Sequence, residues 1–197
     1  NVIAEIKECV TQHGIRSFLF RSDLFTQNRK WVIDLCKAIL EEGLDIEWAC
    51  NSRVDTLSEE ALVWMRKAGC WIVALGVESG DQETLDRIDK KAKVEDAWRA
   101  VEMLRKAGVK SSIYLLMGLP WDTPQLIDKQ VAFAKALKPD FLEIFYVYPF
   151  PGTRLYELCV SEGLIKAGEI PPEAYADPSM PGLYLSIEQF GRLRKRA

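Results

Sequence analysis

The sequence contains a single histidine, His13, and no two of its five cysteines lie close together in the chain. Neighbouring cysteines are at least 14 positions apart, at Cys9, Cys36, Cys50, Cys70 and Cys159. Zinc sites use closely spaced cysteines and histidines, and a serine triad needs a histidine base. The sequence therefore predicts no metal site and no serine triad, and we expect free thiols in the core.

The sequence also lacks a long apolar run, a secretion signal and a strong charge of either sign. A membrane helix needs about 20 consecutive apolar residues, and no segment approaches that length. The 29 acidic and 26 basic side chains are mixed along the chain, which argues against a nucleic-acid-binding surface. With 48% hydrophobic residues, a chain of 197 residues can form one globular domain with a sizeable core. We expect a soluble, cytoplasmic protein.

Helical and strand-like patterns alternate regularly over the first three quarters of the chain. Four of the five predicted helices end at a glycine: Gly14, Gly43, Gly69 and Gly108. A strand-like segment follows each helix, at residues 15–20, 44–50, 70–77, 109–117 and 139–148. Strands that each follow a helix at this spacing indicate right-handed parallel βα units in an open sheet or a barrel.

Two helix starts carry capping signals. Thr56 and Glu59 form the pattern of a capping box, and Thr123 followed by Pro124 predicts a cap with proline in the first helical position. Beyond Tyr148 the regular pattern weakens to one further helix over 153–163, and four prolines then interrupt the segment IPPEAYADPSMPG. We therefore predict a core over residues 1–164 and a C-terminal extension of uncertain structure over 165–197.

All five predicted strands end in polar or turn-forming residues. The exits read RSD at 21–23, NSR at 51–53, ESG at 78–80, GLPWDT at 118–123 and PFPGT at 149–153. Parallel barrels place their chemistry at the carboxyl ends of the strands. Helix caps and loops explain any one of these exits. Together they predict that Asp23, Arg53 and Glu78 face one polar ligand, while glycine and proline let the backbone approach a flat one.

Five segments, in their order along the chain, resemble the radical S-adenosylmethionine (radical SAM) enzymes. They are FLFRSDLFT, EWACNSRVDTLSEEAL, KAGCWIVALGVESGDQETLDRIDK, LRKAGVKSSIYLLMGLPWDT and FLEIFYVYPFPGTRLYE. The resemblance covers roughly residues 1 to 160 and is strongest to the branch in which a cobalamin-binding domain often lies upstream. It implies an α/β fold, a parallel (β/α)6 partial TIM-type barrel, here with the first strand and the cluster loop absent.

The resemblance implies roles for residues at three strand exits. Asp23 matches a position that holds the methionine amino group of S-adenosylmethionine, although Ser22 replaces the acidic residue that the family has before it. Arg53 matches an arginine suited to the methionine carboxylate or to substrate. Glu78, with Ser79 beside it, matches a position that accepts hydrogen bonds from the ribose hydroxyls.

The last two exits match the part of the family that holds adenine. Met117, Gly118 and Pro120 stand where backbone and apolar side chains lie along the adenine ring. The segment 146–148, with Tyr148, would line the adenine or the substrate. Where the family usually has Gly-Glu, this chain has Trp-Asp, and we expect Asp122 to serve only at the entry of the following helix.

The resemblance also implies the chemistry. In this family a [4Fe-4S] cluster, held by a CxxxCxxC loop, reductively cleaves S-adenosylmethionine, and the 5′-deoxyadenosyl radical takes hydrogen from the substrate. The sequence has no such triplet. We expect its cluster ligands upstream of this chain, and no turnover by the chain alone. Expected partners are a reductant protein, a small-molecule, lipid-like or pigment-like substrate, and cobalamin through an upstream domain.

Two other classes of function remain open. A cluster-free barrel enzyme could act on an acidic small molecule, with Asp23 and Glu78 as acid and base and Arg53 as the anion-binding group. A non-catalytic interaction module could keep the fold without the cluster. Activity of the isolated chain without iron would favour the first class over both others.

Overall fold

The computed structural model describes residues 2–22, 24–169, 171 and 177–196. Five parallel strands form one sheet in which each strand pairs with the next in chain order. The strands are β1 (Ser17–Phe20), β2 (Glu47–Arg53), β3 (Cys70–Glu78), β4 (Lys110–Met117) and β5 (Phe141–Tyr146). The sheet curls into a half-barrel, which confirms the predicted parallel partial barrel.

Helices lie between the strands and after the last one. The described residues form α1 (Val2–His13), α2 (Arg29–Glu41), α3 (Glu59–Lys67), α4 (Gln82–Arg87), α5 (Val94–Ala107), α6 (Pro124–Leu137), α7 (Arg154–Ser161) and α8 (Ile187–Arg196). None of these helices is both long enough and apolar enough to cross a membrane.

The convex face of the sheet carries the apolar core. Ser52, Leu75, Ile113 and Leu142 lie in one row across β2 to β5, and the cross-strand pairs put them on the same face. Leu75 and Ile113 are fully buried and belong to the cluster that side chains of α2, α3 and α5 complete. Because successive side chains of a strand point to opposite faces, the other half of the strand residues face the concave side of the sheet.

The concave face is polar near the carboxyl ends of the strands. Arg53, Gly76, Tyr114 and Glu143 form one row across β2 to β5. Tyr114 also packs edge to face on Phe145, with ring centroids 5.3 Å apart. The pKa of Tyr114 is raised, first by burial and then by the charge of Glu143. This row brings an arginine and a carboxylate to the same side of the sheet.

Several predicted boundaries are confirmed and one cap is wrong. Thr123 caps α6 by accepting a hydrogen bond from the N–H of Leu126, and Pro124 opens that helix. The predicted capping box at Thr56 does not form, because α3 starts later, with Ser58 as its cap. The Thr56 hydroxyl instead donates to the carbonyl of Arg53. Because this hydroxyl already bonds to the end of β2, it does not cap α3.

The described part of the C-terminal extension packs against the barrel. Leu185 and Phe190 form one buried cluster with Met117, Ile127 and Tyr146. The Tyr146 hydroxyl donates to the carbonyl of Phe190 over 3.0 Å. The division into a core over 1–164 and an extension over 165–197 stays a prediction, but residues of both ranges share this cluster.

Gly69, between α3 and β3, offers a test of the packing at the amino ends of the strands. Its φ is +92°, and an added Cβ would lie 1.9 Å from the carbonyl oxygen of Ile46. Because backbone atoms cannot yield as a flexible side chain can, we expect Gly69→Ala to lower the free energy of unfolding by more than about 3 kcal/mol. Urea unfolding followed by circular dichroism measures this loss.

Gly43→Ala is the matched control. Gly43 also follows a helix with a positive φ, +62°, but nothing lies within 4 Å of its added Cβ. Only the left-handed backbone is then penalised, at about 1 kcal/mol. Equal losses for the two variants would contradict the close contact with Ile46.

Candidate functional site

The carboxyl end of β3 has an unusual backbone. Its register against β4 shifts between Gly76 and Glu78, and Glu78 has a φ of 65°. A non-glycine residue in the left-handed region is uncommon and strained, and such residues concentrate at functional sites. The N–H of Ser79 bonds back to the carbonyl of Val77 over 2.8 Å, which holds this turn. The turn therefore places the carboxylate of Glu78 at the rim of the half-barrel.

Glu78 forms an ion pair with Lys90 at this rim. The Lys90 Nζ donates to Glu78 Oε1 over 2.7 Å, and both side chains are less than one fifth exposed. The pair lies over Gly76, where an added Cβ would come within 2.8 Å of Glu78 Oε1 and 3.0 Å of Lys90 Nζ. The absence of a side chain at Gly76 therefore makes the space that Glu78 and Lys90 occupy.

Arg53, the last residue of β2, makes a second ion pair. Its Nε and Nη2 atoms donate to the two carboxylate oxygens of Asp55, each over 2.8 Å. The hydrogen bond to Asp55 raises the pKa of Arg53, and the same bond lowers the pKa of Asp55. A planar two-point pair of this kind fixes the guanidinium orientation.

Lys90 joins the two ion pairs into one network. Its carbonyl accepts a hydrogen bond from Arg53 Nη2 over 3.0 Å, while its ammonium holds Glu78. Within the described residues, Glu78 Oε2 and Arg53 Nη1 make no hydrogen bond. The network thus keeps one acceptor and one set of charged donors for a ligand with hydroxyl and carboxylate groups.

Three hydroxyl groups form a hydrogen-bond network around the backbone carbonyl of Arg53. Thr26 bonds to Ser52 and, over 2.7 Å, to Thr56, and Ser52 lies 3.2 Å from Thr56. Ser52 and Thr56 both donate to the carbonyl of Arg53. Thr26 and Ser52 are buried. This group ties the loop after β1 to the end of β2.

Asp122 organises the turn after β4. One of its oxygens, Oδ2, accepts the N–H of Gly118 over 2.8 Å and that of Leu119 over 3.1 Å. Asp122 is fully buried, and its other oxygen has no partner among the described residues. Burial raises the pKa of Asp122 to about 6. The expectation that Asp122 serves only at the helix entry missed this role.

The structure turns several predicted adenine contacts away from the concave face. The Met117 side chain packs on the outer side against Phe190. The Pro120 carbonyl accepts the N–H of Leu183 over 2.7 Å. The Tyr148 hydroxyl donates to the carbonyl of Pro171 over 2.6 Å.

Among the predicted site residues, the structure brings Arg53 and Glu78 together through Lys90. Ser79 is fully buried and its Oγ accepts the N–H of Asp81, so it supports the turn. Asp23 lies outside the described residues, and its role stays a prediction. The sequence reasoning missed Lys90 and its contacts, although the basic pair at 90–91 right after a short charged helix was a visible signal.

The described cysteines do not form a cluster site. All five are free thiols, and no group of three or more candidate ligands within the described ranges could hold a metal ion. Cys36, Cys50 and Cys70 lie in the core, where burial raises the pKa of Cys36 to about 12. The pKa of Cys50 is also raised, through a hydrogen bond with Cys70 and burial. Thiols of this kind resist conversion to the thiolates that bind iron.

Comparison with known proteins identifies the family of the chain. The model of the family described as the Radical SAM superfamily matches residues 1–134. The chain belongs to the radical SAM superfamily. An uncharacterised methyltransferase of Pyrococcus horikoshii is 32% identical over all of this chain and 43% of its own length. The anaerobic magnesium-protoporphyrin IX monomethyl ester cyclase of Rubrivivax gelatinosus is 30% identical over 79% of this chain and 28% of its own length.

Solved structures of radical SAM enzymes share the fold. The methyltransferase TsrM from Kitasatospora setae, with cobalamin and a [4Fe-4S] cluster bound, aligns with a TM-score of 0.71 over 98% of this chain and 40% of its own, at 18% identity. Coproporphyrinogen III oxidase from Escherichia coli aligns with a TM-score of 0.68 over 99% of this chain and 43% of its own, also at 18% identity. Radical SAM relatives are enzymes, and this chain spans less than half the length of these relatives.

The raised pKa of Asp122 gives a testable pH dependence. Its ordinary value is 3.8 and its value in the folded chain is about 6. Between these values the folded state binds more protons than the unfolded state, so the contribution of Asp122 to stability falls as pH rises. We expect Asp122→Asn to gain stability relative to wild type from pH 4 to pH 7, by at most about 3 kcal/mol. Urea unfolding across this pH range measures the difference.

Asp45→Asn is the control, because Asp45 is exposed on the opposite end of the sheet, beside Arg16. The control should follow the wild-type pH profile. A difference between Asp122→Asn and wild type that is constant from pH 4 to pH 7, or that turns against the variant, would contradict the raised pKa.

Proposed function

We propose that this chain supplies the part of a radical SAM enzyme that holds S-adenosylmethionine at the carboxyl ends of the strands. The network of Arg53, Lys90 and Glu78 carries this proposal, because it collects complementary charges at one rim of the half-barrel. In this family, reductive cleavage of bound S-adenosylmethionine supplies the carbon-centred radical that takes hydrogen from the substrate. The chain's own residues bind and orient it.

The residues at the rim fit the polar parts of S-adenosylmethionine. Glu78 Oε2 can accept hydrogen bonds from a ribose diol, and Arg53 Nη1 can donate to the methionine carboxylate. Gly118, with a φ of +86°, follows β4 directly and offers backbone without a side chain beside the Tyr146 ring. Asp122 keeps that turn closed through its two hydrogen bonds. The fit involves the side chains at two strands and the backbone at a third.

The cluster is a separate matter. The family uses a [4Fe-4S] cluster, but four of the five described cysteines are buried, and burial raises the pKa of Cys36 and of Cys159. They do not fit a cluster, and we derive no step through one from this chain. We propose that the ligands come from outside this chain and that the chain alone has no turnover.

The complete enzyme would need further partners. A reductant protein would deliver the electron, and a cobalamin-binding domain is a reasonable companion, since cobalamin is named in the structures of TsrM and OxsB. Methyl transfer and ring closure are both represented by relatives at about 30% identity. We propose a small-molecule substrate and a cytoplasmic location, in which five free thiols remain reduced.

Binding of S-adenosylmethionine by the 197-residue chain tests the proposal. We expect isothermal titration calorimetry to detect binding, and Glu78→Gln and Arg53→Gln each to weaken it about tenfold, because each removes a charged hydrogen-bonding group. Gly76→Ala should weaken it as well, since its Cβ would displace the Glu78 and Lys90 side chains.

Glu47→Gln and Arg16→Gln are matched controls, because both residues are exposed at the amino ends of the strands. They should bind as wild type does. If S-adenosylmethionine fails to bind, or if the controls weaken binding as much as the rim variants, the proposed site is wrong. Circular dichroism of each variant checks that the fold is kept.

Anaerobic reconstitution with iron and sulfide tests the statement about the cluster. We expect no brown cluster absorbance from the isolated chain, because four of its five thiols are buried and no group of three or more candidate ligands among the described residues could hold a metal ion. Iron analysis after gel filtration measures the outcome. A stable content of about four irons per chain would contradict it.

A further inference from the structure

A cavity of about 560 Å³ lies beside the rim network and is not used by it. Its walls are mostly apolar, and its polar residues are two arginines and one aspartate. The lining consists of Arg87, Ile88, Asp89, Leu116, Leu119, Trp121, Val147, Arg154, Leu155 and Leu158. This volume is in the range of pockets that hold small organic ligands.

The cavity is next to the proposed cofactor site in both sequence and space. Arg87, Ile88 and Asp89 lead directly into Lys90, which pairs with Glu78. Leu116 lies on the concave face of the sheet, opposite Phe145 of β5 in the strand register. A molecule in the cavity would therefore lie beside a molecule held by Glu78.

Arg87 is oriented to bind an anion. Its guanidinium carbon lies 3.9 Å from the centre of the Trp121 ring. Stacking on an aromatic face fixes the plane of the guanidinium and leaves its N–H groups free at the edge, where a carboxylate can bind in two-point fashion. Arg87 makes no ion pair with any residue in the described ranges, whereas Arg53 is paired with Asp55.

Arg154 supplies a second positive charge. It opens α7, and the amino end of a helix does not favour a cation, so the helix itself gives no reason for an arginine here. The described part of the chain offers it no carboxylate partner either. Asp89, the acidic residue of the lining, is already paired with Lys91 over 2.6 Å. The cavity is thus apolar with an excess of positive charge at its edge.

We propose that this cavity binds the substrate, and that the substrate is a molecule with an apolar body and a carboxylate group. The carboxylate lies between Arg87 and Arg154, and the body lies on Leu119, Val147 and Leu158. The positive charge disfavours the sulfonium cofactor in the same place. That the ligand is the substrate rests on the proposed function, whereas the presence of an anion site in this cavity does not.

Binding of 2-naphthoate and of its neutral analogue 2-naphthamide to the 197-residue chain tests the proposal. By calorimetry, we expect naphthoate to bind about tenfold more tightly than naphthamide, because only naphthoate has the charge that the arginines recognise. The double variant Arg87→Gln, Arg154→Gln should lose this preference and still bind both molecules weakly. Leu155→Trp should reduce binding of both by filling the cavity.

Arg66→Gln is the matched control, since Arg66 is exposed on α3, makes no ion pair with a described residue and carries the same charge. It should keep the preference. Equal binding of the two probes to wild type, or loss of the preference in the control, overturns the proposal. Competition between naphthoate and S-adenosylmethionine also overturns it, because the cavity would then belong to the cofactor. Loss of cofactor binding in Glu78→Gln with the preference intact would separate the two sites.

Discussion

The ion pair between Glu78 and Lys90 depends on the bare backbone of Gly76. The turn at the end of β3 takes Glu78 into the left-handed region, and its carboxylate folds back over the strand that carries it. Lys90 can reach it only because Gly76 has no side chain in the way. Through its own carbonyl Lys90 then meets Arg53, so the ends of β2 and β3 act as one polar unit.

This unit shows why a carboxylate can follow a buried strand. A charge at the end of an apolar strand is costly unless it is paired or solvated. Lys90 pairs one oxygen of Glu78, and the other stays available at the rim. At the end of β4, two backbone N–H groups compensate in part for the burial of Asp122. The Asp122 carboxylate holds a backbone turn in place, whereas the Glu78 carboxylate holds the side chain of Lys90.

Local patterns predicted most of the fold. The apolar faces and terminal glycines placed the helices, and Thr123 with Pro124 placed the start of α6, because caps depend on neighbours in the chain. The Thr56 cap was wrong because its hydroxyl bonds to the carbonyl of Arg53 and to Thr26, which is 30 residues away. Lys90 escaped notice for the same reason: its contact with Arg53 spans 37 residues and arises only when the sheet curls. The sequence shows which charged residue stands at the end of a strand, but it does not show which distant residue pairs with that charge.

The hydrogen bond from Leu183 to Pro120 has a mechanical consequence. It fastens the chain after the barrel to the same turn that Asp122 closes, while Tyr146 fastens α8 to β5. A displacement of the segment around Leu183 would therefore also displace the turn beside Gly118, as long as the hydrogen bond between Leu183 and Pro120 is kept. A force on the segment around Leu183 would therefore also act on the mouth of the half-barrel.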